Sequence, residues 1–216
     1  MAVRIEKAPV SLEEAGFREI YHRFVYLERC GALERAAGGQ LEPADTGVIA
    51  HGYWDALYGS SFCLLAAARL EGDEVKAGRP LETACDGVLR CELAGTRFSP
   101  LTDGAQELDR FLDRISMVRG RRETKDANIR RLRDMRELDE SRLPGSPDTV
   151  RVFLVGPGRM PEAVYARPDL LMCGEIWGAV TSIPRETREV RTGDRIRIRP
   201  FRKKDGSCCL ISVVTD

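Results

Sequence analysis

The segment Arg195–Val214, RIRIRPFRKKDGSCCLISVV, has the most regular pattern in the chain. Arginine alternates with isoleucine in its first part, and Asp205-Gly206 precedes an apolar run. Because successive side chains of a strand point to opposite faces, the arginines share one face while Ile196 and Ile198 point into a core. The segment is predicted to form an arginine-lined strand, a tight turn and a buried return strand.

The same region carries a local excess of positive charge. Residues 185–204 contain nine basic and three acidic residues, an excess of six, in a chain of zero formal net charge. Adjacent guanidinium groups repel one another unless anions lie between them, and phosphates of a nucleic acid or carboxylates of a neighbouring subunit would serve. The alternative is a solvated strand face whose charges protect a sheet edge against aggregation. Pro200 also indicates that this end of the strand is an edge. The side chains predicted to contact nucleic acid here are Arg195, Arg197, Arg199, Arg202, Lys203 and Lys204.

A second basic segment covers residues 119–136, with eight basic and three acidic residues, an excess of five. Its apolar residues recur at helical spacing, so part of the charge falls on an exposed helix face. Such a face can lie against a phosphate backbone, or its arginines can pair with the acids of the same helix. The residues predicted to bind nucleic acid here are Arg121, Arg122, Arg130 and Arg133.

The chain is predicted to be an α+β protein with two domains. Pro144-Gly145-Ser146-Pro147 is the clearest linker, which gives an α+β domain over residues 1–146 and a β-rich barrel or sheet over 147–216. In the first domain we predict an amphipathic helix from residue 12 to about 36, a loop-like region over 40–58, and a small antiparallel sheet with a hairpin at Gly72. Helices are predicted over 103–140, and a bent or bulged strand over 170–183.

Composition limits the class of protein. The 216 residues are 43% hydrophobic and 31% charged, which is typical of a globular rather than a disordered chain. The seven cysteines include no CxxC pair, and the N-terminus does not resemble a secretion signal. The apolar run Phe62–Ala68 is too short to span a bilayer. We therefore predict a cytoplasmic protein that does not enter a membrane.

Three weaker candidate sites remain. The loop Gly156-Pro157-Gly158-Arg159 follows an apolar stretch and would suit a phosphate, although Pro157 removes one amide donor and the pattern favours a plain turn. Tyr53 and Trp54 are typical of a loop anchor or a partner contact. The histidines are His22 and His51 alone, and His51 would need Cys63 or Cys30 beside it to form a nucleophile–base dyad. No metal and no cofactor is predicted.

These patterns favour a non-catalytic subunit of a larger nucleoprotein assembly, which contacts phosphates without base specificity. A structural subunit whose arginines meet acidic protein surfaces is the first alternative. The second is an enzyme or binder of a phosphorylated small molecule that uses Gly156, Gly158 and Arg159. An enzymatic role is not favoured, because no motif in the sequence specifies a reaction.

Overall fold

The computed structural model describes residues 3–102, 106–143 and 145–214. Strands account for 43% of the chain and helices for 24%, so the predicted α+β class is confirmed. The chain forms two compact units, residues 1–123 and residues 124–216. Each unit has its own hydrophobic core.

The first unit is built on a seven-stranded antiparallel sheet with the order β1-β7-β2-β3-β4-β5, in which β6 also pairs with β4. Its strands are β1 (Val10–Ser11), β2 (Phe24–Glu28), β3 (Gly47–Asp55), β4 (Gly59–Glu71), β5 (Glu74–Pro80), β6 (Val88–Leu89) and β7 (Arg97–Pro100). Its helices are α1 (Phe17–Ile20), α2 (Gly31–Ala36) and α3 (Leu112–Arg122), with 3-10 turns at Leu12–Glu14, Thr83–Cys85, Arg90–Leu93 and Gln106–Phe111.

Both faces of this sheet are covered. Leu33 of α2 belongs to the core on one face, and Ile115 and Val118 of α3 belong to the core on the other. The strands between them are therefore buried on both sides and read as continuous apolar runs. The hairpin predicted at Gly72 is confirmed, because Glu71 pairs with Glu74 across it.

The prediction of a loop over residues 40–58 is wrong, since β3 occupies its second half and is buried along its whole length. The glycines in it allow close packing. A Cβ at Gly47 would lie 2.2 Å from the Leu27 carbonyl oxygen, and a Cβ at Gly52 would lie 2.3 Å from the Ile20 carbonyl oxygen. Glycine within a strand can mark a bulge or a close approach of another backbone, and here it allows the close approach.

The predicted helix over residues 12–36 is also wrong. Ser11 does cap a helical turn, by accepting a hydrogen bond from the Glu13 amide, but that turn ends at Glu14. After α1 the chain passes through His22, whose φ of 57° is left-handed and ends the helix. The aromatic and β-branched residues that follow form β2 instead, because the sheet offers them a buried position.

The second unit contains a closed five-stranded barrel formed by β9 to β13, and the short strand β8 pairs with the first part of β9. The strands run antiparallel in sequence order, and β13 closes the barrel by pairing in parallel with β9. The strands are β8 (Arg142–Leu143), β9 (Ser146–Val155), β10 (Glu162–Met172), β11 (Glu175–Val180), β12 (Arg195–Arg202) and β13 (Cys208–Val213). The helix α4 (Ala127–Asp134) and a 3-10 turn at Arg136–Ser141 precede them.

The division between the units falls earlier than the predicted linker. Leu132 and Leu138 belong to the barrel core, so the residues before the linker pack with the barrel. Arg142 holds them there, since its guanidinium donates to the carbonyls of Leu132 and Met135 at 2.8 and 3.2 Å. Pro144 lies outside the described residues.

Two further predictions need correction. The helical region predicted over 103–140 is divided into two helices. The first, α3, ends at Arg122, and Asp126 then caps α4 by accepting hydrogen bonds from the amides of residues 128 and 129. Residues 103–105 lie outside the described chain. The bent strand predicted over 170–183 is a hairpin. Its two-residue turn is Cys173-Gly174, with φ of 52° and 78°, and its bulge lies between Pro168 and Leu170.

Gly52→Ala should destabilise the protein by about 2 kcal/mol or more, because the new methyl group overlaps the Ile20 carbonyl and must displace the backbone. The matched control is Gly120→Ala within α3, where no atom lies within 4 Å of the new Cβ. That substitution should stabilise the protein by about 1 kcal/mol through helix propensity. Urea unfolding of the two variants measures both effects, and equal stabilities would contradict the packing described for β3.

Candidate nucleic-acid interface

The arginine strand has the predicted orientation. Ile196 and Ile198 are 6% and 1% exposed and belong to the barrel core. Arg195, Arg197 and Arg199 occupy the alternate positions on the outer face of β12. β11 pairs with β12 only as far as Ile198, so the remainder of the strand is bonded to β13 alone.

Acidic residues of the same chain lie against this row of arginines. The Arg195 guanidinium is 2.5 Å from the Asp169 carboxylate, and Arg197 donates to Glu175 at 2.8 Å. Arg199 lies 4.0 Å from Glu175. The anions that the sequence pattern requires between the guanidinium groups are thus supplied in part by β10 and β11. Sequence reasoning missed these carboxylates, because the register of three strands is needed to find them.

The far end of the hairpin is different. Arg202, Lys203 and Lys204 are exposed and form no ion pair with any acid in the described part of the chain. We call these three residues the basic tip. The turn that carries them is ordered by its own backbone, since the Lys203 amide donates to the Ser207 carbonyl at 2.8 Å. One acid, Asp205, lies in the same turn, where hydrogen bonds from Ser207 and the charge of Lys203 lower its pKa. Three cations and one carboxylate leave this end of the hairpin with a net positive charge.

Aromatic and apolar side chains lie beside these charges on the outside of the barrel. Phe201 is 50% exposed and pairs across the sheet with Cys209. Two residues further along β13 from Cys209 is Ile211, which pairs with Arg199 of β12 on one side and with Phe153 of β9 on the other. We call Phe153, Ile211, Cys209 and Phe201 the apolar stripe. The guanidinium of Arg151 stands over the Phe153 ring, 5.6 Å from its centroid.

The basic helical segment does not form one surface. Arg121 and Arg122 end α3 in the first unit, where Arg121 is exposed and Arg122 lies 3.4 Å from the Asp55 carboxylate. Arg130 is exposed on α4 in the second unit. Arg133 is 2% exposed and bonds Asp148 through two nitrogens at 2.9 and 2.7 Å. It stabilises the barrel unit, so its predicted contact with nucleic acid is wrong.

The loop proposed to bind a phosphate is occupied by a contact of its own. Arg159 makes a two-pronged ion pair with Glu189, with distances of 2.5 and 2.7 Å. Gly158 adopts a φ of 70°, and the Arg159 amide bonds the Gly156 carbonyl, as in an ordinary turn. The arrangement therefore favours the turn over the phosphate loop.

Tyr53 and Trp54 are not available to a partner, contrary to the prediction. They lie in β3 and are 1% and 8% exposed. The Tyr53 hydroxyl donates to the Asp86 carbonyl at 3.0 Å. Both residues are part of the core of the first unit, for the reason that β3 is a strand rather than a loop.

The structure brings the two histidines together in the first unit, which the sequence did not indicate. Their ring centroids are 6.4 Å apart. His22 lies between Glu123, 2.7 Å from its Nε2, and Arg119, 3.2 Å from its Nδ1. Because arginine only donates, Nδ1 accepts and Nε2–H donates to the carboxylate. Both ring nitrogens of His22 are thus engaged, and neither is left to act as a base.

His51 does not form the nucleophile–base dyad considered from the sequence. It is the cross-strand partner of Cys63, but that thiol donates to the Asp86 carboxylate at 3.1 Å. Burial, followed by the hydrogen bond to Asp86, raises the pKa of Cys63 far above its usual range. His51 Nδ1 is buried without a hydrogen-bond partner among the described residues. Burial and the nearby Arg119 lower the pKa of His51 to about 3.

In the described residues, no group of His, Cys, Asp and Glu side chains has the arrangement of a metal site. No described helix is long and apolar enough to cross a membrane. Comparison with known proteins finds no matching family model, no similar curated protein and no similar solved structure.

The pKa of His51 predicts a pH dependence of stability. The imidazole takes up a proton at its ordinary pKa of 6.5 only after unfolding, so the stability that it contributes is complete above that value and falls toward pH 3. From about pH 7 to about pH 5 the decrease should be about 2 kcal/mol. Urea unfolding across this range should show a shallower decrease for His51→Gln than for the natural chain. Identical pH profiles would contradict the buried, neutral state of His51.

Proposed function

We propose that this protein is a non-catalytic, nucleic-acid-binding subunit of a larger assembly, and that the barrel contacts the phosphate backbone through the outer face of β12. The observation that supports it is the unequal distribution of charge along that strand. Arg195 and Arg197 are compensated by Asp169 and Glu175, whereas Arg202 and Lys204 have no acid of the described chain within ion-pair distance.

Uncompensated cations are the groups that a polyanion can use. An arginine already paired with a carboxylate gains little from a phosphate, because it must first give up its partner. Arg202 and Lys204 exchange only water for phosphate oxygens and release counterions from the nucleic acid. Arg199 extends the same path along the strand, because it lies 4.0 Å from Glu175, which Arg197 already binds at 2.8 Å. Contacts of this kind position a backbone and carry no base specificity.

The assembly part of the proposal is supported by exposed apolar residues on two connected loops of the barrel unit. Met160 and Ile183 are 81% and 82% exposed. The Glu162 carboxylate accepts hydrogen bonds from the amides of Glu186 and Thr187, which fixes one loop against the other. We assign these two side chains to the contact with a neighbouring subunit. All seven cysteines are free thiols, which supports a reducing compartment such as the cytoplasm.

The salt dependence of oligonucleotide binding tests this proposal. For a labelled single strand, log K should fall linearly with log salt, and Arg202→Gln/Lys204→Gln should reduce the slope by about 0.7 for each phosphate that the variant no longer neutralises. The control with the same number of substitutions is Asp169→Asn/Arg195→Gln, which removes a compensated pair and should leave the slope nearly unchanged. Fluorescence anisotropy gives both values.

Two results would contradict the proposal. One is the absence of binding to RNA and DNA at low ionic strength by the natural chain. The other is an equal reduction of the slope in the two variants, since the charge of the basic tip would then have no special role. If an acidic protein is instead the partner of β12, the natural chain will not bind RNA or DNA at low ionic strength.

A further inference from the structure

Phe201 is placed where an aromatic side chain is not needed for folding. It follows Arg199 on the outer face of β12, beyond the last residue that pairs with β11, and Arg202 is the next residue along the chain. Half of its surface is exposed, while the barrel core is filled by aliphatic residues on the opposite face of the same strands. An exposed ring close to arginines on a strand offers a flat apolar surface beside positive charge.

The strand register makes Phe201 part of a continuous surface. Cys209 is its cross-strand partner, Ile211 is two residues further along the same strand as Cys209, and Phe153 is the partner of Ile211 on β9. Partners across a sheet are separated by about 5 Å, and residues two apart on one strand share a face. The apolar stripe therefore runs without interruption from one aromatic ring to the other across three strands.

Cations border the stripe at both ends. The Arg151 guanidinium stands over the Phe153 ring, and the basic tip follows Phe201 directly. Arg199 lies beside the middle of the stripe as the partner of Ile211. A chain crossing the stripe thus meets apolar surface and positive charge at alternating positions, which suits a ligand with flat apolar groups on a phosphate backbone.

We infer that the barrel binds single-stranded rather than duplex nucleic acid, with unpaired bases stacked on Phe201 and Phe153 and phosphates held by Arg199, Arg202 and Arg151. This inference rests on the proposed function and narrows it. Bases in a duplex are stacked on one another and have no free face, whereas unpaired bases can stack on aromatic side chains. Because every base has such a face, the recognition is tolerant of sequence.

The test compares three probes by fluorescence anisotropy: an oligothymidylate, an abasic oligonucleotide of the same length, and a duplex of equal phosphate count. The stacking of one base on an aromatic side chain strengthens binding by about five- to 140-fold. The oligothymidylate should therefore bind more tightly than the abasic strand by at least the lower of these factors, and more tightly than the duplex.

Two substitutions of Phe201 test whether its aromatic ring is needed for binding. Phe201→Leu keeps an apolar side chain but removes the ring, so it should weaken oligothymidylate binding about five-fold or more and leave abasic binding unchanged. Phe201→Tyr keeps the ring and should bind like the natural chain. Because the side chain is half exposed, both variants should retain the thermal unfolding midpoint of the natural chain, which serves as the folding control.

The possible results distinguish a failure of base stacking from a failure of the proposed nucleic-acid binding. If the abasic strand or the duplex binds as tightly as the oligothymidylate, stacking is overturned while backbone contact stands. If Phe201→Leu binds the oligothymidylate as the natural chain does, the assignment of Phe201 is overturned. If none of the three probes binds at low ionic strength, the proposed function itself fails.

Discussion

The outer surface of the second unit depends on the closure of its barrel. Five strands that follow one another antiparallel leave the first and the last pointing the same way, so closure requires the parallel pairing of β9 with β13. Closure also gives every strand an inner and an outer face. Ile196 and Ile198 fill the interior, and the same alternation places three arginines outside. A shift of the register by one residue would bury those arginines, which makes the arrangement strongly specified.

Closure also divides the charge of β12 into two parts. Over Arg195–Ile198, where β12 pairs with β11, acids from neighbouring strands approach the guanidinium groups, as Glu175 approaches Arg197 at 2.8 Å. Beyond Ile198 the strand no longer pairs with β11, which is the source of such an acid. The outer face of β12 therefore has a compensated part at Arg195 and Arg197, and a part around Arg202 that no described acid approaches within ion-pair distance. The proposed ligand contacts lie in the second part, because its cations do not have to leave an ion pair before they bind a phosphate.

Sequence patterns were informative wherever one face of an element is buried and the other is not. The alternation in β12 and the Gly72 hairpin belong to this class, and both are found in the structure. The patterns failed for β3, which is buried on both faces and has no alternation, and whose glycines resemble those of a loop. They also failed over residues 12–36, where Ser11 marks the start of a helix but no local feature shows how soon it ends.

The candidate site was predictable only in part. The arginines of β12 have a local pattern, and the same period of two places Phe201 on their face. Phe153 has no such signal, because it lies within the apolar run Val152–Val155, and only the structure shows that Val152 and Leu154 on either side of it are buried. Asp169 and Glu175 had no signal in the local sequence, because their contacts with β12 depend on which strands are adjacent. The burial of Arg133 likewise depends on Asp148, which is not its neighbour on a helix.

Photochemical crosslinking tests the central claim most directly, because it reports where a bound strand lies. The full chain would be mixed with a single-stranded oligonucleotide containing 5-iodouracil, irradiated, digested and examined by mass spectrometry. We predict crosslinked peptides from β12 and β9, with Phe201 and Phe153 as the modified residues. Crosslinks confined to residues 1–123, or to β10 and β11 of the barrel, would contradict the assignment of the interface.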